Sequence, residues 1–299
     1  MIKKALSFIL AIVSCISLCI PVFAESPEEA IVQSGEEILS CYSGDVFYYD
    51  EETNSIEYLS QESEDDFTWF DPICLTLPAN TSSSENEIQS VASDFINYYL
   101  VGGIVNVKNG TTTWEYTVAF TSSVHAIPST RITVRLMASY TTKYGSYSTA
   151  ASAMNDFTTK SDYESFYTLT APAKTGYYYF DATVRNLDTG DSDRNQTNKE
   201  LSNRSGKTWA YSYSAGGGKY LDLPRADWAR ETLYQRPKDL NKTYFNQYEN
   251  ETGISVDNQS DFHVHHQRPL FLGGSNDYDN LIHIPVDMHL SINGWYNGY

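Results

Sequence analysis

The sequence is poor in cysteine, which excludes a cysteine-based metal centre. Of its four cysteines, Cys15 and Cys19 lie in an apolar N-terminal run, and only Cys41 and Cys74 follow that run. Neither of these two has the spacing to a second ligand that structural zinc sites show. A pair of cysteines in an exported chain is consistent with one disulfide, and two free buried thiols are the alternative.

Basic residues are missing from the first third of the chain behind that apolar run. Residues 25–107 contain eighteen Asp or Glu and no Lys or Arg, whereas residues 108–299 contain twenty acidic and eighteen basic residues. The net charge of −18 therefore lies in one N-terminal block. No basic patch of the kind typical of tight non-specific nucleic-acid binding is present. The acidic run 62–66 is interpreted as part of a solvated arm, and the alternative is an acidic prodomain that covers a catalytic face.

The first 24 residues have the features of a cleaved export signal. Lys3 and Lys4 precede an apolar stretch over residues 5–20, and small residues lead to a cleavage site after Ala24. No second long apolar run follows, so we expect no membrane span in the mature chain. The sequence predicts a secreted protein, extracellular or at the cell surface, of bacterial type.

The pattern along the mature chain predicts an α+β multidomain fold. Residues 25–103 form an acidic N-terminal region with a short hairpin around Asn54-Ser55 and a helix near 87–100. Alternating apolar residues predict an antiparallel β-sandwich over 104–215. Glycines 216–218 indicate a hinge, and the last region, 219–299, begins with two helices over 225–235 and 237–250.

Histidines are concentrated near the C-terminus, where five of the six fall between His263 and His289. Strands over 264–272 and 281–284, joined by a Gly- and Asn-rich turn, are followed by a helix that opens at Pro285. Adjacent histidines point to opposite faces of a strand, and residues four apart share one face of a helix. The pattern predicts a hairpin followed by a helix, with a metal site between them.

This C-terminal segment resembles the HNH, or ββα-metal, nuclease superfamily over about residues 261–297. The likeness does not extend to the rest of the chain. The residues that carry it, in order and at family-like spacing, are His265-His266, Pro269-Leu270, Gly273-Gly274, Asn276-Asp277, Asn280-Leu281 and His289.

The resemblance implies a role for each matching position. His265 and His289 would be metal ligands, and His266 would be the general base. Asn280 would hold the hairpin or orient the His266 ring. Asn293 stands where some members have a third ligand.

Two other side chains of this segment are assigned from their position and chemistry alone. Arg268 and His263 are candidate substrate contacts, each with a plain surface residue as the alternative. The predicted cofactor is one divalent metal: Mg²⁺, Mn²⁺ or Zn²⁺.

Two functions of different classes follow from these observations. The first is a secreted endonuclease that hydrolyses DNA, with RNA as a further substrate, and whose partners would be nucleic acid and an immunity or inhibitor protein. The second is a secreted binding or adhesion protein, in which the histidine segment is a degenerate, zinc-stabilised cap. The acidic charge favours the second function, and the intact His266 and Asn280 favour the first.

Overall fold

The computed structural model describes residues 46–50, 55–59, 68–78, 95–122, 129–163, 165–231 and 235–299. Strand β1 (Val46–Asp50) pairs antiparallel with β2 (Ser55–Leu59), with Asp50 opposite Ser55. The predicted short hairpin is thereby confirmed. The predicted export signal, the acidic run 62–66 and Cys41 lie outside the described residues, so the Cys41–Cys74 disulfide stays a prediction.

Two five-stranded antiparallel sheets form the middle of the chain. In the first sheet β5 pairs with β3, β4 and β6, and β6 pairs with β9. Its strands are β3 (Thr68–Trp69), β4 (Ile73–Pro78), β5 (Phe95–Lys108), β6 (Thr111–Ser122) and β9 (Tyr167–Pro172). In the second sheet β7 lies between β8 and β10, and β10 also pairs with β11 and β12. Its strands are β7 (Thr130–Ser139), β8 (Ser148–Phe157), β10 (Gly176–Asn186), β11 (Ser192–Gln196) and β12 (Glu200–Ser202). A single helical turn, α1 (Lys160–Tyr163), separates β8 from β9.

Both sheets contribute to one hydrophobic core, called the first core here. Trp114 of the first sheet and Phe180 of the second lie with their ring centroids 6.0 Å apart. Successive side chains of a strand point to opposite faces, so β4 buries Ile73, Leu75 and Leu77 and exposes the residues between them. The predominance of antiparallel sheet with few helices agrees with the predicted α+β class, and the β-sandwich stays a prediction. These sheets begin at Thr68, well before the predicted boundary at residue 104, and residues 68–202 are called the β region below.

The helix predicted near 87–100 is wrong over its described part, because residues 95–100 belong to β5. Residues 87–94 lie outside the described residues. Ile96, Tyr98 and Leu100 are buried while Asn97 and Tyr99 are only partly buried, which is the two-residue period of a strand. Pairing with β4 on one side and β6 on the other satisfies the backbone of this segment, and this tertiary pairing outweighs the helical spacing of its apolar residues.

The predicted glycine hinge is instead the turn of a short hairpin. Strands β13 (Ser214–Gly216) and β14 (Lys219–Tyr220) pair around it, and Gly216, Gly217 and Gly218 all have positive φ values, which glycine adopts without strain. The Tyr248 hydroxyl donates a hydrogen bond to the Ala215 carbonyl at 2.7 Å. The hairpin is therefore tied to the following helix.

One of the two helices predicted after the hinge is present. α2 (Leu240–Thr252) ends at Gly253, which has a φ of 69° and donates its N–H to Glu249. The helix predicted over 225–235 is wrong over its described residues, because backbone N–H groups there bond to distant carbonyls. The Ala226 N–H donates to Thr141, and the Glu231 N–H donates to Phe271.

The C-terminal region, residues 219–299, ends in the expected hairpin and helix. β15 (Phe262–His266) pairs antiparallel with β16 (Leu281–Pro285), and α3 (Val286–Asn297) follows directly. Three 3₁₀ turns complete the segment: Gln259–Asp261, Leu270–Leu272 and Tyr278–Asn280. The first strand, predicted over 264–272, therefore ends earlier than expected, at His266, because Pro269 begins the second of these turns.

Two further cores hold this hairpin in place. The second core packs α3 and β16 against Tyr177, Leu201 and Trp209 of the preceding chain. The third core packs α2 against Val264 and Leu281. The hairpin therefore lies between α2 and α3, with its first strand presenting one face to each helix.

Candidate functional site

The alternation of side chains along β15 divides its histidines between two environments. His263 and His265 share the face that looks toward α3, and ring contacts to His289 place them there. Val264 packs in the third core against α2, and His266 follows it on that second face. Adjacent positions on one strand therefore lie in two separate environments, and the predicted alternation of their side chains is confirmed.

On the α3 side three imidazoles converge. The His289 ring centroid lies 4.8 Å from that of His263 and 5.4 Å from that of His265. The Nδ1 atoms of His263 and His289 are 3.1 Å apart, and Asn293 places its amide nitrogen 3.3 Å from the same His289 Nδ1. The structure thus brings together the three predicted metal residues and also His263, which the sequence suggested only as a substrate contact.

Burial keeps the His265 and His289 imidazoles neutral. Desolvation and the neighbouring His289 lower the pKa of His265 to about 3, and desolvation with the neighbouring His263 lowers the pKa of His289 to about 4. Each of these two rings therefore has one unprotonated nitrogen at neutral pH. The His265 Nε2 atom is buried and has no hydrogen-bond partner, which is costly unless another group uses it.

These features bear on whether a divalent metal fits. Among the residues that the structure describes, no group of three or more His, Cys, Asp or Glu is already arranged around a common ion position. The donors themselves fit, because neutral imidazole is a good ligand for several divalent ions and the His265 ring, which carries the unpartnered Nε2, lies 5.4 Å from the His289 ring. Asn293 is exposed on α3 beside His289.

His266 lies on the other face in a fixed orientation. Its Nε2 is 2.9 Å from the Asn276 Oδ1, and the Asn276 Nδ2 donates to the Gln235 carbonyl at 2.8 Å. Because that second bond fixes which end of the amide faces the ring, Nε2 is the protonated nitrogen and Nδ1 keeps the lone pair. Burial also lowers the pKa of His266 below its usual value, so the ring is neutral at neutral pH.

A guanidinium group lies beside this lone pair. The Arg236 Nη1 is 3.4 Å from the His266 Nδ1, and its Nη2 donates to the Val264 carbonyl and to the Asn241 Oδ1. Arg236 is exposed and has no carboxylate partner among the described residues. Sequence reasoning missed Arg236, which stands in a connecting segment without any motif, and gave Asn276 only a turn role.

Asn280 holds the loop between β15 and β16. Its Oδ1 accepts the Arg268 N–H at 2.8 Å, and its Nδ2 donates to the carbonyls of Arg268 and Ser275. A side chain at Gly274 would collide with the Arg268 carbonyl, so the loop closes tightly at that glycine. Of the two roles the sequence suggested for Asn280, these contacts support holding the hairpin, whereas Asn276 contacts the His266 ring.

Arg268 and His283 lie outside both histidine sites. Arg268 donates its Nε to the Leu272 carbonyl at 2.6 Å and lies 5.8 Å from the Trp228 ring, at the edge of a pocket of about 240 Å³. His283 is buried against α2, with its Nδ1 3.0 Å from the Tyr244 hydroxyl. This position indicates a structural role for His283.

Comparisons with known proteins add no assignment: no protein-family model, no curated protein and no solved structure matches the chain. Within the part of the chain that the structure describes, no helix is long and apolar enough to cross a membrane.

Proposed function

We propose that this protein is a secreted, metal-dependent endonuclease of the HNH type that hydrolyses phosphodiester bonds of DNA, with RNA as a further substrate. The observation that carries the proposal is the His266 ring, which is neutral, held by Asn276 and presents its Nδ1 toward the exposed Arg236. A cluster of imidazoles with an unpartnered buried nitrogen begins at the adjacent residue. We interpret the two sheets of the β region as a β-sandwich that supports this site.

In this proposal His266 acts as the general base. Its Nδ1 takes the proton from the water that attacks the phosphorus, and the lowered pKa keeps the ring ready to do so at neutral pH. Asn276 holds the ring in one tautomer by accepting from its Nε2–H. Arg236 offers an exposed positive charge that can contact a phosphate oxygen beside the base.

A divalent ion, when bound, would neutralise charge on the scissile phosphate and stabilise the leaving oxygen. His265 and His289 would hold it, and Asn293 lies beside them. Mg²⁺, Mn²⁺ and Zn²⁺ are the ions to test. His266 and the ion ligand His265 are neighbouring residues of β15, so the base and the ion would act on the same phosphodiester.

The acidic residues 25–67 are proposed as a mask for this site in cis. The C-terminal limit of any deletion that tests this mask is set by β3 and β4, because Phe70, Ile73 and Leu75 are buried in the first core. A deletion that stops at residue 67 removes the mask without opening that core, and faster cleavage is then expected.

A plasmid-cleavage assay on residues 25–299 tests the proposed activity. We expect cleavage that a chelator abolishes and that added Mg²⁺, Mn²⁺ or Zn²⁺ restores. His266→Ala should lower the rate by about 10²- to 10⁴-fold, which is the usual contribution of a general base. Lys238→Ala is the matched control, since it removes an exposed residue close to Arg236 in sequence.

Two results would contradict the proposal. One is an absence of cleavage with every metal, and the other is an undiminished rate for a folded His266→Ala variant. Metal binding without cleavage would favour the alternative, a secreted binding protein with a metal-stabilised cap. A fragment from residue 218 is not a valid substitute, because Tyr177, Leu201 and Trp209 complete the second core.

A further inference from the structure

The position of His263 suggests a different ligand set from the one that the HNH resemblance implies. His263 and His265 are two residues apart on β15 and share the face toward α3. Each of these two rings on β15 contacts the His289 ring on α3. Asn293, the position that matches the third ligand of some HNH enzymes, is exposed at the edge of the cluster.

The distances from the His289 ring to the other two rings are close to those of a tetrahedral imidazole site. Zinc–nitrogen bonds of ~2.0–2.1 Å at tetrahedral angles place two ligand nitrogens ~3.4 Å apart and their ring centres ~5 Å apart. The observed ring-centre distances are 4.8 Å and 5.4 Å, and the Nδ1 atoms of His263 and His289 are 3.1 Å apart. The distances measured from His289 therefore lie near the values that a shared ion requires, whereas no common ion position for three side chains is already formed among the described residues.

The nitrogen atoms of this cluster are also available. His265 Nε2 is buried and has no hydrogen-bond partner. The His263–His289 contact is a single hydrogen bond between two rings, and coordination would replace it with two stronger bonds to the ion. The Asn293 amide is a neutral group of a kind that zinc sites rarely use, whereas imidazole is a common zinc ligand.

We propose that His263, His265 and His289 form a three-histidine site with one open position, selective for transition-metal ions such as Zn²⁺ over Mg²⁺, and that Asn293 is not a ligand. Imidazole donors suit transition ions, while Mg²⁺ takes oxygen ligands. This inference rests on the metal site of the proposed function and changes its ligands and its preferred ion.

Co²⁺ binding to metal-free residues 25–299 is the test, because Co²⁺ reports its ligands by absorption and by shifted proton resonances. We expect one bound Co²⁺, with visible absorption of four- or five-coordinate strength, competed by Zn²⁺ and unaffected by millimolar Mg²⁺. Three exchangeable, strongly shifted imidazole N–H signals are expected in the unmutated protein, one from each ligand ring. This measurement needs no variant and holds even where a variant fails to fold.

Variants then identify the third ligand. His263→Ala and His263→Asn should each weaken Co²⁺ binding by at least about 100-fold, beyond the ~10–100-fold typical of residues that only support a ligand. Asn293→Ala should change the affinity by less than about 3-fold, as should the control Asn297→Ala on the exposed side of α3. Circular dichroism confirms that each variant is folded.

The outcomes separate this inference from the proposed activity. Two shifted signals, a loss of binding in Asn293→Ala with His263→Ala unaffected, or competition by Mg²⁺ would each overturn the three-histidine site. His266→Ala should bind Co²⁺ as the unmutated protein does while losing cleavage. Tight binding by three histidines in a protein that cleaves no nucleic acid would support this inference and overturn the nuclease.

Discussion

The β region and the C-terminal region bury ionisable side chains in opposite ways. In the β region Asp181 is 3% exposed, yet its two oxygens accept from the Nε and Nη2 of Arg194 at 2.7 Å each, and Arg135 lies 3.5 Å away. In the C-terminal region His265 is also 3% exposed, and its Nε2 has no partner. One group is paired with guanidinium groups, and the other is a neutral imidazole whose Nε2 is unpaired.

This difference separates a structural use of burial from a reactive one. A buried charge requires a partner, so Asp181 and its arginines serve the sheet they belong to. A buried histidine can lose its proton instead, and the low pKa of His265, about 3, is the result. A buried ring nitrogen without a hydrogen-bond partner lowers the stability of the fold, and such groups are concentrated at sites that bind ligands or carry out reactions. The C-terminal region therefore depends on its neighbours for stability.

Substitution of Trp295 tests whether the C-terminal region depends on its neighbours for stability, and we expect it to have the largest effect. This side chain lies in the second core, and its Nε1 donates to the Lys207 carbonyl at 2.8 Å. Trp295→Ala should lower the free energy of unfolding by about 3–5 kcal/mol, as large core deletions do. Because β10 residues such as Tyr177 share that core, hydrogen exchange should accelerate in β10 as well as in α3.

Trp228→Ala is the matched control for this change, since Trp228 is only partly buried at the edge of the second core. It should cost less than Trp295→Ala. Exchange that accelerates only in residues 262–299 would show that the two regions unfold independently. The two regions would then be separate domains.

Local patterns in the sequence predicted the elements whose partners are near in the chain. The hairpin of β15 and β16, the helix after Pro285 and the end of α2 at Gly253 follow from turn and cap residues. The pairing of His265 and His289 across strand and helix was expected from the motif and from strand alternation. Those predictions needed only local geometry.

Predictions that depended on distant partners were wrong. Residues 95–100 fit a helix until β4 and β6 pair with them, and the segment after Arg225 fits a helix until Thr141 and Phe271 accept its N–H groups. Asn276 contacts His266 across the loop, and Arg236 reaches the same ring from the segment before α2. No spacing within the motif indicates either of these contacts.

A smaller effect is expected at Asn276, where substitution tests whether the His266 ring must be held in place for catalysis. Asn276→Ala should lower the cleavage rate by about 10- to 100-fold, because a displaced base loses its alignment. Ser275→Ala, at the exposed neighbouring residue, is the control. Asn276→Asp should retain more activity but move the acid limb of the rate–pH profile to higher pH, because a carboxylate beside the ring raises the pKa of His266. An unmoved profile in Asn276→Asp would argue against contact between the two side chains.

The smallest effect concerns His283, which is buried among aromatic rings and plays no part in the proposed reaction. Burial lowers its pKa below the ordinary value of roughly 6.5. The unfolded chain therefore binds more protons than the folded one below that pH, so stability present above pH ~6.5 is lost as the pH falls toward the folded pKa. One such group contributes a slope of at most about 1.4 kcal/mol per pH unit.

In metal-free protein, His283→Phe should make urea unfolding between pH 7 and pH 5 less dependent on pH than in the unmutated chain. His265 and His289 remain in both proteins, so the difference isolates His283. Equal slopes would mean that His283 binds protons equally in the folded and the unfolded chain, and burial would then not lower its pKa.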